Sequence, residues 1–159
     1  MSGRLDAGDR FLVTYSQAMD ASSFCSTWSG TGDQSITPGN VVTVTVINNG
    51  APSGNDLLTA STSASACGGQ FHFGSVDLGS PNHVQTNSTF SGPGGLLGLL
   101  YPASTIAYDS SSRLLTVTLG ALASGSGSDT VTGAITYMYT PDPVIQGANG
   151  RSITGTVTS

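Results

Sequence analysis

The run Val42-Thr43-Val44-Thr45-Val46-Ile47 constrains this chain more than any other stretch. Its valines fall on every second position. A period of two puts them on one face of an extended strand, whereas a helix would scatter them around its axis. The residues are all β-branched, which suits a pleated, half-buried surface. The same alternation recurs along the chain. Phe11, Val13 and Tyr15 oppose Leu12, Thr14 and Ser16. Ile106 and Tyr108 are followed by Leu115, Val117 and Leu119, which reads as a hairpin turned by Asp109-Ser110-Ser111-Ser112. Ile135, Tyr137 and Tyr139 form another stripe, and Ile153 and Val157 mark a last one.

Shorter pieces fit the same scheme. Leu57-Leu58-Thr59-Ala60 reads as a strand that weakens towards Cys67. Phe71 and Phe73 share one parity, but Val76 and Leu78 share the other, which predicts a one-residue bulge at Gly74-Ser75. Turn residues punctuate these stripes: Gly8-Asp9, Pro38-Gly39, Asn48-Asn49-Gly50, Pro141-Asp142-Pro143 and Gly147-Ala148-Asn149-Gly150. The pattern predicts an all-β, antiparallel sandwich of seven to nine strands with at most one short helix. The segment 91–102 resists the scheme. Its run Leu96, Leu97, Leu99 and Leu100 reads either as a helical turn over an open end of the sandwich or as an apolar patch for a partner.

Composition narrows the function classes. A length of 159 residues suits one domain, read as 5–159, with residues 1–4 taken as a remnant of recombinant expression. The net charge is -5, and the four basic residues, Arg4, Arg10, Arg113 and Arg151, are scattered, so nucleic acid is not an expected partner. Lys and Glu, both good helix formers, are absent. Charged residues make up only 8%, with Ser, Thr, Gly and Asn in their place, as in many extracellular β proteins. No stretch is long and apolar enough for a membrane helix, and no secretory leader is visible. The chain therefore reads as a fragment of a longer protein, or as one whose leader has been removed. Its last residues, Thr158-Ser159, fall at the end of a strand, as in a module cut from a string of domains.

Cys25 and Cys67 are the two cysteines. An extracellular setting favours a disulfide between them over two buried thiols, and closing so long a loop would be worth about 4 kcal/mol in a chain-entropy account. Trp28, the single tryptophan, reads as a core plug beside that bridge or as a sugar-stacking platform. His72 alternates with Phe71 and Phe73 and is expected on the exposed face, whereas His83 lies in a Pro-Asn-His loop. With Trp28, these histidines are the candidate ligand contacts.

Several chemistries are weighed on these residues. No Gly-x-Ser-x-Gly motif occurs, and no acid pair stands out for glycoside hydrolysis, so an enzyme is not expected. A cupredoxin-type copper site fails because Cys67 and His72 lack a preceding His and a nearby Met. Calcium would draw on Asp6, Asp9 and Asp142 at a domain end, against the plainer reading of turn-capping carboxylates. Asn87-Ser88-Thr89 matches a glycosylation sequon.

Two ends of the chain carry a resemblance. Gly8-Asp9-x-Phe11-x-Val13-Thr14-Tyr15-Ser16-Gln17-Ala18-Met19-Asp20-x-Ser22 resembles the opening strand of bacterial Ig-like domains of surface and secreted proteins. Thr136-Tyr137-Met138-Tyr139-Thr140-Pro141, followed by Gly147-Ala148-Asn149-Gly150 and Ile153-x-Gly155-Thr156, is similar to that family's close. The hairpin from Ile106 to Gly120 fits as well, and together these cover about half the chain. Gln17 stands where Glu is usual and Gln146 where Asp is common, so no acidic site carries over at either position. The resemblance implies an immunoglobulin-like sandwich. It also implies a non-catalytic structural or adhesive module of a bacterial cell-surface or secreted multidomain protein, with neighbouring domains as its partners. The alternative is a module that binds a glycan or a surface protein through loops 30–40 and 80–102. Without lysine, the isopeptide crosslink of some bacterial stalk domains cannot form, which leaves the cystine as the clamp.

Overall fold

The computed structural model describes residues 4–36, 42–50, 54–92, 101–153, 155 and 157–158. Residues 1–3, the Pro38-Gly39 turn and the leucine run 96–100 lie outside these. Two antiparallel sheets enclose one core. The four-stranded sheet has the order β1 (Arg10–Thr14), β8 (Leu114–Thr118), β7 (Thr105–Asp109), β2 (Gln34–Ile36). The seven-stranded sheet has the order β11 (Val157–Thr158), β10 (Met138–Pro141), β5 (Gly74–Asp77), β4 (Leu57–Thr62), β3 (Val42–Ile47), β6 (Ser88–Phe90), β9 (Leu122–Ser124). The fold is the expected antiparallel β-sandwich, with β2, β6 and β9 added as short strands in segments that read as loops.

Alternation sets which side chains go inside. In β3, Val42, Val44 and Val46 are buried while Thr43, Thr45 and Ile47 are half-buried on the outer face. Pairing in register with β4 places Val44 opposite Ala60 and Val46 opposite Leu58. From the other sheet, Val13, Ile106, Tyr108, Leu115 and Val117 point into the same core. Each of these large side chains contributes roughly 1.5–3 kcal/mol by leaving water.

The aromatic side chains bridge the layers. Phe24 lies between Tyr15 and Tyr108, each ring centroid 5.6 Å away. Tyr15 in turn meets Tyr139 of β10 edge-on at 6.5 Å. Tyr139 donates its one hydroxyl hydrogen to the Phe73 carbonyl at 2.7 Å, so Tyr15 must be the donor in the 3.1 Å Tyr15–Tyr139 hydroxyl pair. Burial pushes the Tyr139 hydroxyl up to about 12 and raises that of Tyr15 as well, which keeps both protons in place at neutral pH.

The change of parity before β5 is real, but it is made by a left-handed glycine. Phe71 and Phe73 are buried, then Val76 and Leu78 are. Gly74 stands between them with φ 94°, and β5 pairs with β10 without a bulge from that residue onward. A Cβ on Gly74 would collide with the Thr140 carbonyl of β10. A positive φ and a close backbone neighbour together demand glycine here.

The weak continuation of β4 becomes a single helical turn, α1 (Ala64–Cys67), closed by Gly68 at φ 63°. The opening and closing segments that carry the family resemblance meet in space. Met19 bridges to Gly147, the Asp20 amide donates to the Gln146 carbonyl, and the Ala148 amide donates to the Ala18 carbonyl.

Candidate functional site

Cys25 and Cys67 form the expected disulfide and are fully buried. Cys25 follows the 3-10 turn Ala21–Ser23, whose Ser22 amide donates to the Asp20 carboxylate at 3.0 Å. Cys67 ends α1. Hydrogen bonds reinforce the join: the Thr27 hydroxyl donates to the Ala66 carbonyl at 2.7 Å, the Ser26 hydroxyl to the Cys67 carbonyl, and the His72 amide to the Phe24 carbonyl at 2.8 Å. The closed loop contains β2 from one sheet and β3 and β4 from the other.

Trp28 is 7% exposed and packs edge-on against Phe24 and Phe71. It is core and not an exposed platform, and its amide donates to the Cys25 carbonyl at 2.9 Å. His83 is buried too. Its amide donates to Asp56, and its Nε2 lies 3.0 Å from the Leu78 carbonyl. A carbonyl only accepts, so Nε2 carries the proton and Nδ1 is left without a partner. His72 is half-buried, and its Nδ1 lies 3.0 Å from Asp142 Oδ2. The three expected ligand contacts therefore do not share a surface.

Asp6, Asp9 and Asp142 are not brought together either. Among the described residues no three His, Cys, Asp or Glu side chains gather around a common point. Asp9 instead accepts the Asp6 amide at 2.8 Å, a turn cap. Asp142 accepts the Val144 amide and faces His72. Burial raises the Asp142 carboxyl, but the Val144 N–H and the His72 ring outweigh it, so the net shift is downward. His72 and Asp142 together tie the lead-in of β5 to the end of β10.

One cleft lies at the loop end where the chain leaves β3. It has a volume of about 350 Å³ and lies between Asn48 and Gly50 on one side and the loop from Pro81 to Gln85 on the other, with Asp129 closing it. A fully buried carboxylate outside its lining ties the first two of these segments together. Asp56 accepts the amides of His83 at 2.8 Å, Val84 at 3.0 Å and Asn49 at 3.3 Å. Such a carboxylate holds two loops in one geometry by satisfying amides that would otherwise be orphaned. Asp129 joins through its amide, which donates to the His83 carbonyl at 2.6 Å. Sequence reasoning missed this cleft because its Asn, Gln and Asp residues read as ordinary turn formers. The one available signal was the chemistry of loop 80–102, and only its first residues contribute.

No family model, no curated protein and no solved structure matches this chain. Among the described residues no helix is long and apolar enough to cross a membrane.

Proposed function

We propose that this domain is a non-catalytic structural module of the bacterial Ig-like kind, serving an extracellular or cell-surface protein as a spacer or adhesive segment. The observation that carries this reading is the crosslinked loop. A force applied to the chain on either side of Cys25 and Cys67 passes through the S–S bond and bypasses every residue between them, so β2, β3 and β4 cannot be drawn out. A disulfide persists in an oxidising compartment, which favours the extracellular setting. The uses found for the polar side chains favour a non-catalytic role: His83 and Asp56 are buried in hydrogen bonds that hold loops, and His72 and Asp142 join neighbouring segments. Neighbouring domains of the same longer chain are the natural partners of such a spacer.

Single-molecule pulling between residues 5 and 158 tests this. In oxidised protein the unfolding step should be cooperative and should omit the closed loop. Adding reductant should lengthen the step by roughly 150 Å, since the cysteines lie 42 positions apart and each residue extends at most about 3.6 Å. Gradual extension at low force in the oxidised protein would argue against a load-bearing role.

A further inference from the structure

We propose that the cleft between Asn48, the 81–85 loop and Asp129 is a binding site for a saccharide, recognised through its hydroxyl groups. The cleft's size, about 350 Å³, lies within the range of small-molecule sites. Its lining sets the ligand class. Asn48, Asn82 and Gln85 bring three carboxamides, and Asp129 brings the one charge. With no Arg or Lys among the described lining residues, an anion would meet only an unneutralised carboxylate. With no aromatic ring among the described lining residues, a flat apolar ligand has nothing to stack on. A metal ion would find a single carboxylate, and no group of three ligating side chains exists among the described residues. An organic ammonium could use the carboxylate but has no acceptor for the amide N–H groups. A hydroxyl both donates and accepts, so a polyol satisfies both kinds of group at once.

The groups are held ready for this. The Gln85 side chain donates Nε2–H to Asp129 Oδ2 at 2.8 Å, which orients the carboxylate and leaves Oδ1 for a ligand. Asn48 is fixed in turn: its Oδ1 accepts the Gly50 amide at 2.7 Å, and its Nδ2 donates to the Gln85 carbonyl. The Asn82 carboxamide makes no hydrogen bond within the described protein and faces solvent. Oδ1 of Asp129 supplies the charge-assisted O–H···O bond, the strongest single contact available to a neutral ligand. The proposal goes beyond the structural role and does not depend on it: a spacer without a ligand and a spacer with one would pull alike.

The test is an amide-resolved NMR titration of the full chain. The probes are methyl glycosides of neutral hexoses and of N-acetylhexosamines, with an alkylammonium salt and calcium chloride as separate arms. Saturable shifts with a glycoside, confined to residues around Asn82, Gln85 and Asp129 and half-complete in the millimolar range, are the expected result. Asp129→Asn should weaken that binding roughly tenfold, since it replaces a charge-assisted hydrogen bond by a neutral one at an exposed position. The variant's own spectrum should otherwise match the parent, because Asp129 is exposed and its buried tie to His83 is made by the backbone amide. No saturable shift with any sugar overturns the proposal. So does saturation by the ammonium salt or by calcium alone, which would make the cleft a cation site.

Discussion

Asp109 shows how much a single side chain can organise. It ends β7, and its Oδ1 accepts the amides of Ser111 at 2.8 Å and Ser112 at 3.0 Å and the Ser111 hydroxyl at 2.7 Å. Arg113 then takes a left-handed conformation at φ 57° so that β8 can start in register. The Ser111 hydroxyl and the backbone around it hold the Asp109 carboxyl down at about 2. A depressed carboxyl stabilises the folded state above its unfolded pKa, and that contribution is lost as pH falls through the folded value. The contribution of Asp109 should therefore persist at pH 4 and fade between there and about 2. Side-chain NMR titration should place the Asp109 carboxyl near 2. A midpoint at the ordinary aspartate value would show that the serine turn is not formed. Asp56 makes the same point from inside the protein, where three amides depend on one carboxylate that reads in the sequence as one more loop residue.

Among the elements, β5 bears the tightest constraint. It pairs with β10 on one side and β4 on the other, and Gly74 opens it against the Thr140 carbonyl. Gly74→Ala should cost about 3 kcal/mol by urea denaturation, from strain at positive φ and the displaced β10 backbone. A loss under about 0.5 kcal/mol, the level of an ordinary surface change, would mean that the β5–β10 pairing is not as described. Element by element, strands of five or six residues were legible because alternation needs several turns of its period to show. That is why β1, β3, β7 and β8 follow their stripes. Strands of three residues, such as β2 and β9, carry no period and were read as loops. The stripe of Ile135, Tyr137 and Tyr139 was legible but misplaced, since pairing with β5 starts only at Met138. The disulfide was readable from two cysteines and a compartment argument. The cleft was not, because its residues come from three separated segments, two joined by Asp56 and the third by the Asp129 amide on the His83 carbonyl, and not by any local pattern.

For the molecule as a whole, the two sheets are joined by a common core and by one covalent bond. The chain passes from the four-stranded sheet to the seven-stranded one after β2, returns for β7 and β8, and crosses again to β9. The Cys25–Cys67 bond closes the first of these crossings into a loop, so it restrains the unfolded chain where the sheets first separate. Charged residues are only 8% of the sequence, so burial and this crosslink outweigh surface ion pairs in holding the fold. The most direct test is guanidinium denaturation of the oxidised protein beside the Cys25→Ser/Cys67→Ser variant. The oxidised protein should be more stable by about 4 kcal/mol, while the variant keeps a β-rich far-UV spectrum. Equal stability of the two proteins would contradict the account.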